Sequence, residues 1–223
     1  DPTDPRNRTR LKGLLDPVMI RNTRAVAKID IPPRYAQTLR VDPPEEEREF
    51  YQKLSSLIRA LNEHNGKGHR LVLKNLLEGA GSSPFAANAT LGRLLEKPDR
   101  FSQFQQEISD LHDLSRSLLG SGKTRTLLKL IRGSTDKIIV FAKYLATLEH
   151  IAHCLEKDGV PHALFHGRMD TRSKDGQIRY FQDEAPVLVT TEIGGEGRNL
   201  QFCHQMVNFD LPWNPMKIEQ RVG

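Results

Sequence analysis

Two stretches of the sequence carry residue types that suit the binding of phosphate groups. In the first, Thr190 and Thr191 end an apolar run and are followed by glycines at 194, 195 and 197. Threonine hydroxyls at a strand end can contact a phosphate backbone, and glycines let backbone amides face an anion. Further on, "NPMKIEQRV" predicts a helix start that projects Gln220 and Arg221. Taken alone, the glycine cluster also fits a tight strand-to-helix turn without a ligand.

The second stretch is "LLGSGKT", Leu118–Thr124, which looks like the end of a phosphate-binding loop. Such a loop needs G-x-x-x-x-G-K-[ST] between a strand and a helix. Here Ser117 stands where the first glycine belongs, and the preceding segment has a helical pattern rather than a strand pattern. We therefore predict no functional phosphate loop, and expect the segment to begin a helix instead.

Acidic and metal-binding signals are weak. "DEAP" at Asp183–Pro186 resembles a magnesium-binding acidic box, but its strand follows it instead of preceding it, which favours a loop at a helix end. The histidines near Cys154, and the pair His162 and His166, lack the thiols or carboxylates that would complete a tetrahedral site. The second cysteine, Cys203, is distant from the first, so no CxxC motif exists. The sequence predicts no metal site.

The elements that must position the first stretch alternate between strand and helix. Because strands that alternate with helices form a parallel sheet covered on both faces, we expect a three-layer α/β lobe over residues 120–223. The carboxyl ends of its strands should form the functional edge. Four apolar runs are the predicted strands: "KIIVFAK", "HALFHG", "PVLVTTE" and "QMVNFD".

The first half of the chain differs in composition and in the spacing of its apolar residues. Residues 1–44 are rich in arginine and proline and read as an extended linker, with a short strand predicted at Tyr35–Val41 from its alternation. Residues 45–119 repeat apolar positions at helical spacing and predict a helical protrusion.

Composition adds a preference for a polyanion. The 223 residues carry a net charge of +5 and a pI near 9.3, which favours a nucleic-acid partner. No apolar run approaches the roughly 18–20 residues that span a bilayer, and the first ten residues are polar, so the sequence predicts no membrane partner and a cytoplasmic location.

The order of motifs resembles the second RecA-like lobe of superfamily 2 helicases. It is most similar to the chromatin-remodeller (switch/sucrose-nonfermenting) translocases, in particular their bacterial branch with the RNA-polymerase-recycling ATPase. In chain order, the resemblance rests on "LLDPVMIRNTRAVAKIDIPPR" for the linker, "EEEREFYQKL" and "SSPFAANATLGRLL" for the protrusion, "KIIVFAKYLATLEHIAHCL" for motif IV, "FHGRMD", "VLVTTEIGGEGRNLQF" for motif V, "MVNFDLPWNP", and "IEQRVG" for the start of motif VI.

The resemblance implies that this lobe binds a nucleic-acid strand and forms one face of an ATP-binding cleft. The positions that match nucleic-acid contacts are Lys143, Gly167, Arg168, Thr190, Thr191 and Gly194. The positions that match nucleotide contacts are Gly195, Glu196, Gly197, Gln220 and Arg221. ATP with magnesium would bind between this lobe and a first lobe, which supplies the phosphate loop and the magnesium-binding acid. The arginine fingers of the family follow "QRVG", so no catalytic residue is expected up to Gly223.

We therefore expect the C-terminal part of a longer ATP-dependent translocase, cut within motif VI and inactive alone. Its expected partners are double-stranded DNA and its own first lobe, in a bacterial cytoplasm and associated with the nucleoid. Two alternatives stay open. One is an RNA- or DNA-unwinding helicase of another superfamily 2 branch. The other is a module that docks a partner such as RNA polymerase or a defence complex.

Overall fold

The computed structural model describes residue 10 and residues 34–64, 70–191, 200–212 and 214–222. The chain divides into two compact units, Asp1–Arg40 and Val41–Gly223, and every element named below belongs to the second. Its helices are α1 (Glu45–His64), α2 (Arg70–Ser82), α3 (Pro84–Leu95), α4 (Gln105–Ser117), α5 (Gly122–Arg132), α6 (Leu145–Lys157), α7 (Thr171–Asp183) and α8 (Pro215–Val222). Its strands are β1 (Ile138–Phe141), β2 (His162–Phe165), β3 (Val187–Thr190) and β4 (Gln205–Asn208).

The four strands form one parallel sheet in the order β2-β3-β1-β4. Successive side chains of a strand point to opposite faces, and both faces of this sheet are covered. Ile138 and Val140 pack with residues of α5 and α6, whereas Ile139 and Phe141 pack with α7. The predicted three-layer α/β lobe is confirmed, and its two apolar layers explain why β1 and β3 are buried along their whole length.

Helices α1 to α4 make up the helical part of the chain, which has its own apolar core. Phe50, Leu54, Leu57 and Leu61 form the buried face of α1, at the helical spacing that the sequence predicts. They pack with buried leucines of α2 and α3 and with Phe101, which lies between the short 3-10 turns Pro98–Arg100 and Ser102–Phe104 that precede α4. Among the described residues, no helix is both long enough and apolar enough to cross a membrane.

The strand predicted at Tyr35–Val41 is wrong. Residues 34–44 have no regular secondary structure, and Tyr35 is 93% exposed. Alternation of apolar and polar residues stabilises a strand only when a neighbouring strand supplies hydrogen bonds and a core covers the apolar side. In the part of the chain that the structure describes, the sheet's four strands pair only with one another.

The start of α5 is packed against the helical part through a buried carboxylate. Glu47, in the first turn of α1, is 2% exposed, and its Oε2 accepts a hydrogen bond of 2.7 Å from the backbone N–H of Gly122. Its Oε1 accepts the hydroxyl of Tyr51 at 3.0 Å. Burial, and then the charge of Glu47, raise the pKa of Tyr51 far above its usual range. The N-terminus of a helix attracts an anion, and here the anion is the protein's own carboxylate.

Gly122 is predicted to be essential for this close packing. A Cβ atom there would lie 3.0 Å from both the carbonyl oxygen of Asp42 and Cγ1 of Val41, whereas a Cβ at Gly120 would meet nothing within 4 Å. We expect Gly122→Ala to lower the free energy of unfolding by about 1–3 kcal/mol. Gly120→Ala is the matched control and should change it by less than about 1 kcal/mol. Equal urea midpoints for the two variants would contradict the packing described.

Candidate nucleotide and nucleic-acid interface

The predicted functional edge is formed by the carboxyl ends of the four strands. Phe141, Phe165, Thr190 and Asn208 occupy corresponding positions at the ends of β1, β2, β3 and β4. Because all four strands run parallel, the segments that follow them emerge at the same edge. These segments contain the predicted contacts Lys143, Gly167, Arg168 and Thr191, together with Asp210, which sequence reasoning did not single out.

Thr190 and Thr191 lie inside this edge rather than on it. They are 1% and 9% exposed, and the Thr190 hydroxyl donates to the carbonyl oxygen of Thr191 at 3.0 Å. The backbone N–H of Thr191 donates to the carbonyl of Phe165 at 3.1 Å, and the carbonyl of Thr190 accepts from Ala142. The two threonines therefore join the ends of neighbouring strands, and both residues are buried in this structure.

Lys143 follows β1 and is hydrogen-bonded through both its backbone N–H and its ammonium group. Its backbone N–H donates to Oδ2 of Asp210 at 2.7 Å, and its ammonium donates to Oε2 of Glu78, on α2, at 2.6 Å. The Lys143 hydrogen bond lowers the pKa of Glu78. Burial acts to lower the pKa of Lys143, but its hydrogen bond to Glu78 and nearby charges outweigh the effect of burial, and the net shift of this pKa is upward. Both groups are therefore charged at neutral pH.

Gly167 and Arg168 form an exposed turn after β2. The N–H of Met169 closes this turn on the carbonyl of His166 at 3.2 Å. The next residue, Asp170, caps α7 by accepting from the N–H of Ser173 at 2.9 Å and from its hydroxyl. Those hydrogen bonds lower the pKa of Asp170. The turn thus holds the Arg168 side chain in solvent at the strand-end edge.

Arg221 reaches the same edge from α8. Its guanidinium donates to Oδ1 of Asn208, at the end of β4, and lies 4.5 Å from the ring centroid of Phe141, at the end of β1. Asn214 starts α8 as the sequence predicts, since its Oδ1 accepts from the N–H of Met216 at 3.0 Å. Gln220 is exposed. Gly194, Gly195, Glu196 and Gly197 lie outside the described residues.

Lys123, the lysine of "GSGKT", is used for packing. Its ammonium donates to the carbonyl oxygens of Gly81 and Ser82, both at 3.0 Å, and to Oδ1 of Asp210 at 3.2 Å. It also lies 4.5 Å from the ring centroid of Phe209. An ammonium has three N–H donors, so these three oxygens can satisfy all of them. The lysine caps the C-terminal end of α2, where a cation is favourable.

Asp210 connects this cap to a chain of buried hydroxyls. Its Oδ2 accepts the Ser82 hydroxyl at 2.7 Å, and Thr147 lies 2.7 Å from both Ser82 and Ser83. A hydroxyl has one proton to donate. Because Ser82 donates to the carboxylate, Thr147 must donate to Ser82, and Ser83 to Thr147. Asp210 therefore fixes the direction of these hydrogen bonds between the α2–α3 junction and α6.

The histidines and the acidic pair Asp183 and Glu184 occupy separate places in the fold. No group of three metal-ligating side chains comes together within the described residues. His150 stacks on Phe85 with ring centroids 3.7 Å apart, and burial lowers its pKa to about 4. Asp183 is the last residue of α7, and Glu184 lies in the turn before β3, at a helix end as expected.

Comparison with known proteins agrees with this geometry. The family "Helicase conserved C-terminal domain" matches residues 122–223, and the "SNF2-related domain" family matches residues 2–89. The chain contains a superfamily 2 helicase C-terminal lobe of the SNF2 type. The match begins at Gly122, the first residue of α5, so the start of the SNF2-type lobe falls within the "GSGKT" segment.

Relatives of this SNF2-type lobe are longer proteins. The chain is 33% identical over 96% of its length to "Uncharacterized ATP-dependent helicase YqhH" of Bacillus subtilis, and spans 38% of that protein. It is 42% identical over 40% of its length to "RNA polymerase-associated protein RapA" of Vibrio campbellii, and spans 10% of it. The Sulfolobus solfataricus SWI2/SNF2 ATPase core, solved with dsDNA, has the same fold, with a TM-score of 0.55 at 20% identity over 99% of this chain and 45% of that one.

Asp210→Asn is predicted to loosen the contact between the helical part and the lobe. An amide has one oxygen, so its NH2 group would oppose one of the three donors that Asp210 now accepts. We expect the free energy of unfolding to fall by about 2–4 kcal/mol. Asp183→Asn, at an exposed position, is the control and should change it by about 0.5 kcal/mol or less. Similar losses in guanidinium denaturation for both variants would be inconsistent with Asp210 as the connecting residue.

Lys123→Ala separates packing from phosphate binding. Losing the cap on α2 should lower the free energy of unfolding by about 1–3 kcal/mol. Nucleotide affinity of the full-length protein, measured by calorimetry at a temperature where the variant is folded, should stay nearly unchanged. A loss of tenfold or more would mean that Lys123 binds phosphate after all.

Proposed function

We propose that this chain is the C-terminal part of an ATP-dependent translocase that moves on double-stranded DNA. The observation that carries the proposal is the convergence of Lys143, Arg168 and Arg221 at the carboxyl edge of one parallel sheet. They belong to motifs that are far apart in the chain, and each is cationic. One edge can thus offer cations both to a nucleic-acid backbone and to a nucleotide.

The nucleic-acid contacts are assigned to Lys143, Gly167, Arg168, Thr190, Thr191 and Gly194. Arg168 is exposed and Lys143 is partly exposed, so they supply the charge. Thr190 and Thr191 are buried, so we assign them a structural role. They hold in place the strand ends from which these cations emerge. Contacts of this kind read no sequence and weaken as salt rises.

The nucleotide face is assigned to Gly195, Glu196, Gly197, Gln220 and Arg221. The fit of ATP rests on Arg221, because a guanidinium held by Asn208 and Phe141 is a suitable partner for a phosphate oxygen. When bound with magnesium, ATP would supply the driving free energy. We assign the magnesium ligands and the phosphate loop to a first lobe, since the described residues bring no three metal ligands together.

Duplex DNA is the substrate that we favour. A protein of the same fold was solved with dsDNA, and the net charge of +5 suits a polyanion. We place the protein in a bacterial cytoplasm, associated with the nucleoid. Unwinding of RNA or DNA is the alternative activity. A docking role is a second candidate, because the Vibrio relative is named for its association with RNA polymerase and Leu71 and Leu77, on α2, are 68% and 54% exposed.

Triplex displacement with the full-length protein tests the motor directly. We expect ATP-dependent release of the third strand while the duplex stays paired, because a translocase pushes along DNA without separating its strands. An unwinding helicase would instead release single strands from the duplex. Intact DNA-stimulated ATP hydrolysis without third-strand release would refute translocation.

Arg221→Ala in the full-length protein tests the nucleotide face. We expect kcat for ATP hydrolysis to fall by about tenfold or more, because one preorganised phosphate partner is lost. Arg132→Ala is the matched control, since Arg132 pairs with Asp158 and ends α5 just before β1 begins, at the opposite edge of the sheet. Equal activity of both variants would remove Arg221 from the assignment.

The isolated chain of residues 1–223 should not hydrolyse ATP, because the phosphate loop and magnesium acid are assigned to the first lobe. The assay is phosphate release with and without duplex DNA. DNA-stimulated hydrolysis by the purified piece would show that the assignment of these groups is wrong.

A further inference from the structure

The ammonium of Lys143 already has an anionic partner within the protein. Glu78, on α2, places Oε2 at 2.6 Å from Nζ of Lys143 and 3.5 Å from the hydroxyl of Tyr144. Its Oε1 lies 3.8 Å from Nζ of Lys74. The Glu78 side chain is 21% exposed and that of Lys143 is 41% exposed. The cation that follows β1 is therefore paired with a carboxylate of the helical part at the surface of the molecule.

This pair constrains only the end of the Lys143 side chain. The backbone of Lys143 is fixed separately, because its N–H donates to the largely buried carboxylate of Asp210. The ammonium also lies 5.3 Å from the ring centroid of Tyr144. An approaching anion can therefore draw the ammonium away from Glu78 while the strand end stays in place.

A carboxylate at this distance opposes the binding of phosphate. It offsets the charge of Lys143 and repels a second anion brought to the same ammonium. Two unit charges about 4 Å apart interact by about 1 kcal/mol in water, which corresponds to roughly fivefold in affinity. The pair has this effect only while Glu78 is ionised, and the Lys143 hydrogen bond keeps it so by lowering its pKa.

We propose that Glu78 is a positioning residue for nucleic-acid binding. It holds the Lys143 ammonium in an internal ion pair, and a backbone phosphate must displace Glu78 from that ammonium in order to bind. The helical part of the chain thereby sets the affinity and the salt dependence of a contact made by the lobe. The inference rests on the proposed role of Lys143 as a backbone contact.

Glu78→Gln in the full-length protein tests the inference. Glutamine keeps an oxygen that can accept from Lys143 but removes the charge. We expect affinity for a fluorescent duplex, measured by anisotropy at low salt, to rise about fivefold. The slope of log affinity against log salt should steepen by about one counterion, because Lys143 is released to a phosphate. Glu78→Asp should restore wild-type values.

Two controls separate the possible results. Glu49→Gln makes the same change in net charge, but Glu49 pairs with Lys53 within α1, so its effect on affinity should be small. In a Lys143→Ala background, Glu78→Gln should strengthen binding no more than Glu49→Gln does. Equal gains from Glu78→Gln and Glu49→Gln, or a loss of affinity in Glu78→Gln, would overturn the inference.

The failure of the proposed function would look different. If Lys143→Ala leaves duplex affinity and its salt slope unchanged, Lys143 is not a backbone contact and its assignment falls. If Lys143→Ala weakens binding while Glu78→Gln fails to strengthen it, only the role of Glu78 is lost. Thermal melting of each variant shows whether a change in binding comes from unfolding.

Discussion

The arrangement of the helical part and the sheet depends on the hydrogen bonds that the carboxylate of Asp210 accepts. It accepts from Ser82 at the end of α2, from the backbone of Lys143 after β1, and from Lys123 at the start of α5. A carboxylate that is 10% exposed is costly unless its oxygens are hydrogen-bonded, and these three donors satisfy it. Because the donors come from both the helical part and the sheet, one side chain fixes the helical part against the strand ends where the cations emerge.

The "GSGKT" segment shows how a sequence that resembles a phosphate-binding loop can serve packing. The helix that it begins does attract an anion, but Glu47 supplies that anion from α1. Its lysine binds oxygens, but they belong to the end of α2 and to Asp210. The physical preferences of a phosphate loop, an anion at a helix N-terminus and a lysine beside oxygens, are thus met within the fold. The cations Lys143, Arg168 and Arg221 lie instead at the strand ends.

Much of the fold follows from local pattern, whereas the long-range contacts do not. Alternating strands and helices predicted the parallel lobe, because burial on both faces leaves apolar runs such as Ile138–Phe141. The strand predicted at Tyr35–Val41 failed because alternation does not supply a neighbouring strand. Sequence position also suggested exposed hydroxyls at Thr190 and Thr191, although the adjoining strand ends bury them. The pairing of Glu78 with Lys143 joins distant segments, and no spacing rule predicts it.

We propose that nucleotide binds this lobe at the carboxyl edge of the sheet and not at the start of α5. Hydrogen–deuterium exchange of the full-length protein, with and without a non-hydrolysable ATP analogue, tests it most directly. We expect slower exchange in peptides that cover residues 205–222, and unchanged exchange in peptides that cover residues 118–126. Protection confined to residues 118–126 would contradict it, because phosphate would then lie at the "GSGKT" helix start.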